Sequence, residues 1–185
     1  MLNGRNYGLT KLCHRSSMYY VASALLFVFP ALVILGGVYD LTTMTIPNWI
    51  SVALLAAFIP VALMVGLSWQ DMAVALGLGF AALVIGIALF AFKVLGGGDA
   101  KIMAASALWL GLSGVLPFLA ITALAGGALS LLLLSARKWA PVLPVVFPEW
   151  MKRLLQPKGD IPYGVAIAVG AVVAFPYSQM LLKLS

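Results

Sequence analysis

The sequence predicts an all-α integral membrane protein, a polytopic bundle of about six transmembrane helices. Three observations predict it. Of the 185 residues, 64% are apolar and only 9% are charged, with a mean hydropathy of +1.12. A soluble domain needs far more charge at its surface, roughly a quarter of its residues. The apolar residues fall in runs of bilayer length, and a backbone in hydrocarbon is satisfied only within helices or closed barrels. Lysines and arginines gather at the ends of those runs, where headgroups lie.

Residues 1–17 form a polar, basic tail carrying Arg5, Lys11 and Arg15. The tail and the run behind it are laid out like a secretion signal. However, Met18–Val38 is longer than the usual signal core of about 7–15 residues and ends in no small-x-small cleavage site, so it reads as a retained span. Further spans are Trp49–Leu67, Met72–Leu95 and Ile161–Leu182. Between Ile102 and Ser135 lies one long uncharged run, with Gly111, Ser113, Gly114 and Pro117 near its middle. These residues favour a turn, which divides the run into two short spans, about Ala100–Leu112 and Val115–Ser135.

Residues 136–160 differ in character. Three prolines, Pro141, Pro144 and Pro148, oppose a long helix, while Trp139 and Trp150 favour the membrane interface. The expected organisation is a single transmembrane domain over 18–185 with an interfacial loop at 136–160. Two spans separate Asp40 from Asp99, so both lie on one side of the membrane. With six helices that side also carries Lys93, Lys101, Arg137, Lys138, Lys152, Arg153 and Lys158, against Arg5, Lys11, Arg15 and Lys183 on the other. The positive-inside tendency makes the aspartate side cytoplasmic, with the basic tail opposing that assignment.

Several chemistries are excluded by count. Cys13 is the lone thiol and His14 the lone histidine, both in the tail. One thiol forms neither an internal disulfide nor a thiolate zinc site, so no metal and no cofactor is expected. The net charge of +6 suits membrane lipid as a partner and not nucleic acid.

The acidic residues are five: Asp40, Asp71, Asp99, Glu149 and Asp160. Acidic groups at membrane depth are costly and tend to be functional, but none of these lies mid-span. Asp40 closes the first span ahead of Thr45, which is placed to cap the second helix with Pro47 in its donor-free first turn. Alone, Asp40 reads as an interfacial charge. Asp99 follows Gly96-Gly97-Gly98, glycines that end the third helix and permit close approach of a peptide, which puts Asp99 at an N-cap. Asp71 and Asp160 read as caps of their helices, Glu149 as a solvated charge, and Lys101 as either an anchor or a contact for substrate. Two carboxyl groups within hydrogen-bonding range gain weight as a pair: one activates water while the other polarises an amide.

Asp40 followed by Ile46-Pro47-Asn48, and Gly96-x-Gly98-Asp99 followed by Lys101, resemble the two signatures of type IV prepilin peptidases, membrane aspartic peptidases of the GxGD type. Pro162-Tyr163-Gly164 is a third match, so the motifs cover most of the chain. The resemblance is closest to the short prepilin peptidases of tight-adherence (Flp) pilus systems. It implies an aspartic endopeptidase, with Asp40 and Asp99 as catalytic pair. Gly96 and Gly98 would shape the backbone beside substrate, Pro47 and Asn48 would support the first site, and Lys101 and Gly164 would border it. It implies a prepilin or pseudopilin substrate cleaved at the cytoplasmic face of the bacterial inner membrane, and pilus assembly machinery as a partner. Longer relatives carry paired CxxC motifs and N-methylate their product; this chain lacks the motifs, and methyl transfer has no support. Val165 replaces the proline that longer relatives often carry after the third motif. Two other readings are a small transporter or channel with an acidic gate, and an inactive scaffold of a pilus or secretion assembly.

Overall fold

A computed structural model of the chain describes residue 21 and residues 23–140, 148–157 and 159–184. The basic tail, Cys13, His14, Pro141, Pro144 and Lys158 lie outside the described residues. The described residues form helices and no strand. The helices are α1 (Val28–Thr43), α2 (Asn48–Val65), α3 (Trp69–Ala91), α4 (Gly97–Trp139), the short α5 (Glu149–Leu154), α6 (Tyr163–Ala174) and α7 (Gln179–Leu184). A 3-10 turn, Phe175–Tyr177, joins the last two. Five stretches are long and apolar enough to cross a membrane: Ser23–Thr43, α2, α3, α4 and Tyr163–Leu184.

The boundaries correct the sequence reading in particular places. The first span continues to Thr43, so Asp40 lies inside its last turn. Met44 then takes a left-handed conformation and its N–H closes on the Asp40 carbonyl at 2.9 Å. Pro47, and not Thr45, is the N-cap of α2; its fixed φ of −61° leads an extended chain into the helix. The Thr45 hydroxyl instead pairs with that of Thr43 at 2.9 Å. Ser68 caps α3 by accepting the Asp71 N–H at 3.1 Å, so Asp71 stands in the first turn and is not the cap. The third helix ends at Ala91, with Lys93 left-handed at φ 59°, and the glycine triplet begins α4.

At 43 residues α4 is too long for one crossing: at ~1.5 Å per residue it would span about twice a ~30 Å hydrocarbon core. It breaks at Gly111, whose φ of 65° and ψ of −169° suit only glycine. The Gln179 side chain fills the space a Cβ would need there, and the Ser113 hydroxyl donates to the Tyr177 carbonyl at 2.7 Å. Either side of the break the run packs on different neighbours. Gly86 lies against Ala100 and Gly79 against Leu108, so α3 runs antiparallel to residues 97–110. Gly170 lies against Phe118 and Thr122, and Gly126 against Tyr163 and Ala166, so α6 runs antiparallel to residues 112–139. The run is therefore a hairpin, and with the other four long stretches it makes six limbs among the described residues. Small residues at these contacts let the backbones approach closely, the usual basis of packing in lipid.

The centre of the bundle is aromatic. The fully buried Trp109 stacks on Phe29 at 5.4 Å, meets Phe58 edge-on at 6.1 Å, and donates its indole N–H to the Leu54 carbonyl at 2.8 Å. One residue thereby ties α4 to α1 and α2. Large apolar side chains such as Phe80 (68% exposed) and Leu124 (74%) point outward, which is stable only if the surroundings are lipid.

Candidate active site

Asp40 and Asp99 are buried charged side chains, 6% and 7% exposed. Each is delivered by a helix end: Asp40 by the last turn of α1, Asp99 by the first turn of α4. They line one cavity of about 780 Å³ at a single end of the bundle, close enough for their charges to act on one another.

The Asp40 Oδ2 accepts the N–H of Gly164 at 2.7 Å. That contact requires glycine: a Cβ at position 164 would stand 2.8 Å from Oδ2, 2.9 Å from the Asp40 Cβ and 2.9 Å from Ile46 Cδ1. Asp99 is not an N-cap. Gly96 holds that position, and Asp99 is the third helical residue, its carboxylate turned back toward the Gly96 backbone. From this N3 position the side chain lines the cavity. The second oxygen, Oδ1, has no hydrogen-bond partner among the described residues. A Cβ on Gly96 would stand 2.8 Å from Asp99 Oδ2, so a side chain there would displace the carboxylate.

The remaining motif residues hold the two helix ends together. Gly98 packs on Ile46, where a Cβ would come within 3.0 Å of the Ile46 Cβ. Lys101 Nζ donates to Asn48 Oδ1 at 2.8 Å, clamping the start of α2 to the first turn of α4. Lys101 is thus tied to Asn48 and ion-paired with neither aspartate among the described residues. Pro47 starts α2 beside this clamp.

The other acids divide cleanly. Asp71 lies at the far end, 4.0 Å from Lys183. Glu149 is exposed and pairs with Lys152 at 2.6 Å, and that hydrogen bond holds its carboxyl below the usual range. Asp160 lines the same cavity as Asp40 and Asp99. It is not the cap of α6, a position held by Pro162. Its carbonyl accepts Arg137 Nη2 at 2.9 Å, while Arg137 Nε donates to the Leu154 carbonyl at 2.8 Å. Arg137 and Lys93 are the residues of this region that motif reading passed over, whereas Tyr163, which also lines the cavity, belongs to the third motif. Arg137 was legible only as one cation of a basic loop, since its partners are backbone carbonyls with no sequence signature.

Fold and site together define a polytopic helical membrane protein that brings two buried carboxyl groups to one cavity at a membrane end. The model of the type IV leader peptidase family matches residues 27–131, and the chain belongs to that family. Membership makes it a membrane peptidase, a hydrolase of leader-peptidase type whose substrates are prepilins. No curated protein and no solved structure matches the chain.

Proposed function

We propose that Asp40 and Asp99 are the catalytic pair of an aspartic endopeptidase that removes the leader of Flp-type prepilins and pseudopilins at the cytoplasmic face of the inner membrane. The observation that carries this reading is the shared cavity: two buried carboxyl groups on different helices, each seated against the backbone of a glycine. In the reaction one carboxylate takes a proton from water as the water attacks the scissile carbonyl. The other carboxyl group polarises that carbonyl and delivers a proton to the departing amine. The unpartnered Asp99 Oδ1 leaves an acceptor open for water or for the peptide. Gly96 keeps the wall beside Asp99 free of side chain, so an extended peptide can approach. The cytoplasmic assignment is supported by the cations of this end, Lys93, Lys101, Arg137, Lys152 and Arg153. The Flp assignment rests on the resemblance to the short prepilin peptidases alone. The proposal is confined to hydrolysis.

Co-expression with a Flp-type prepilin, read as leader loss on a gel, tests it. Wild type and Asp71→Ala should process the substrate, whereas Asp40→Ala and Asp99→Ala should not. Processing that persists in both of the latter variants overturns the pair.

A further inference from the structure

The chain has eleven cationic and five acidic residues, yet three of the five acids line one cavity. The two acids outside it face cations: Glu149 pairs with Lys152 at 2.6 Å, and Asp71 stands 4.0 Å from Lys183. Asp160, exposed at the cavity, has no ion pair among the described residues, although Lys93 also lines that cavity.

Asp160 is held in place by its backbone. The Arg137 guanidinium grips its carbonyl and that of Leu154, bridging both ends of the turn that follows α5. Gly159, just before it, packs so closely that a Cβ would stand 2.8 Å from the Arg153 carbonyl and 3.3 Å from Arg137 Nη2. With its backbone fixed, Asp160 stands exposed at the cavity whose buried part is formed by Asp40 and Asp99. That part has an open acceptor of its own, the buried Asp99 Oδ1. Among the described residues the carboxylates do not converge to hold a metal ion. A cavity of about 780 Å³ accommodates several residues of a peptide. Acidic groups along low-dielectric walls focus the field and concentrate cations in the cleft.

We propose that Asp160 is a specificity-determining residue of the substrate site, whose carboxylate receives a lysine or arginine side chain of the peptide close to the scissile bond. This inference rests on the reading of Asp40 and Asp99 as the reaction centre. The guanidinium or ammonium of the substrate supplies at Asp160 the counter-charge that the fold gives to Glu149 and Asp71 from within.

The test compares two fluorescent leader peptides, one with lysines ahead of the scissile position and one with glutamines there. Binding to the full chain in lipid nanodiscs is read by anisotropy, alongside cleavage. Wild type should bind the lysine peptide about two- to fivefold more tightly, the range for a partly exposed ion pair, with the preference shrinking at high salt. Asp160→Asn should abolish the preference, Asp160→Lys reverse it, and Asp160→Glu retain it. A preference unchanged in Asp160→Asn, or absent in wild type, overturns the proposal. Because binding is read separately from turnover, peptides that bind with this pattern but are not cut would count against the catalytic pair and leave the Asp160 site standing.

Discussion

The Gly164 amide reaches across 124 positions of sequence to donate to Asp40 Oδ2 at 2.7 Å. The contact makes a residue of α6 part of the wall behind Asp40. It exists only because position 164 carries no side chain.

Gly164→Ala should therefore damage the site more than the fold. The added methyl meets Asp40 and Ile46 within 3 Å, and displacing a reacting group by ~1 Å typically costs roughly 100-fold in rate. Leader cleavage should fall on that scale while the protein still accumulates in the membrane. Full activity of the variant would show that the Asp40 carboxylate has freedom to move.

The isosteric changes Asp40→Asn and Asp99→Asn should each lower cleavage by roughly 10²–10⁴-fold, the usual contribution of a positioned acid or base. If the two act as a unit, the double variant should be hardly slower than either single one. Multiplicative losses in single-turnover assays would show that they act independently.

A different outcome is expected at the clamp. Lys101→Met and Asn48→Ala each remove the 2.8 Å hydrogen bond between α4 and α2, worth about 1 kcal/mol at an exposed position. Melting in detergent should show similar small losses for each variant, and no further loss when the two are combined. Since Lys101 is tied to Asn48, activity should follow stability.

Among the glycines of α4, Gly111 and Gly127 should behave oppositely. Alanine at 111 is forced into a conformation costing about 1–3 kcal/mol and collides with Gln179. Alanine at 127 meets nothing within 4 Å and sits in a regular helix, where it is the better helix former. Thermal melting of the two single variants makes the comparison.

Sequence reading was surest where a single residue type suffices. Apolar runs of bilayer length announced the helices, and Gly111 among Ser113, Gly114 and Pro117 announced the break in the longest of them. Helix caps were read less well, because several residues compete for each. Thr45 and Asp160 are both good capping types, but prolines at 47 and 162 took the position by fixing the backbone just before each helix. The N-cap expected at Asp99 falls three residues earlier, at Gly96: the glycines start α4 instead of ending α3, which puts the aspartate in the first turn. At the site, paired motifs pointed to Asp40 and Asp99, yet nothing local could reveal that Gly164 touches one of them or that Arg137 braces Asp160. Those are contacts between distant segments with backbone partners, and backbone leaves no trace in composition.

The break at Gly111 also bears on the lipid around the molecule. Residues 97–110 rise only about 21 Å, short of a ~30 Å hydrocarbon core. Neighbouring helices bury nearly all of that limb, so lipid hardly touches it and its short rise is met inside the bundle. The turn at Gly111 is likewise buried, so the backbone freed from its helix there faces protein and not hydrocarbon. A reversal of the chain at that depth is tolerable only under such cover, and the helices around it spare the membrane an irregular strand of peptide.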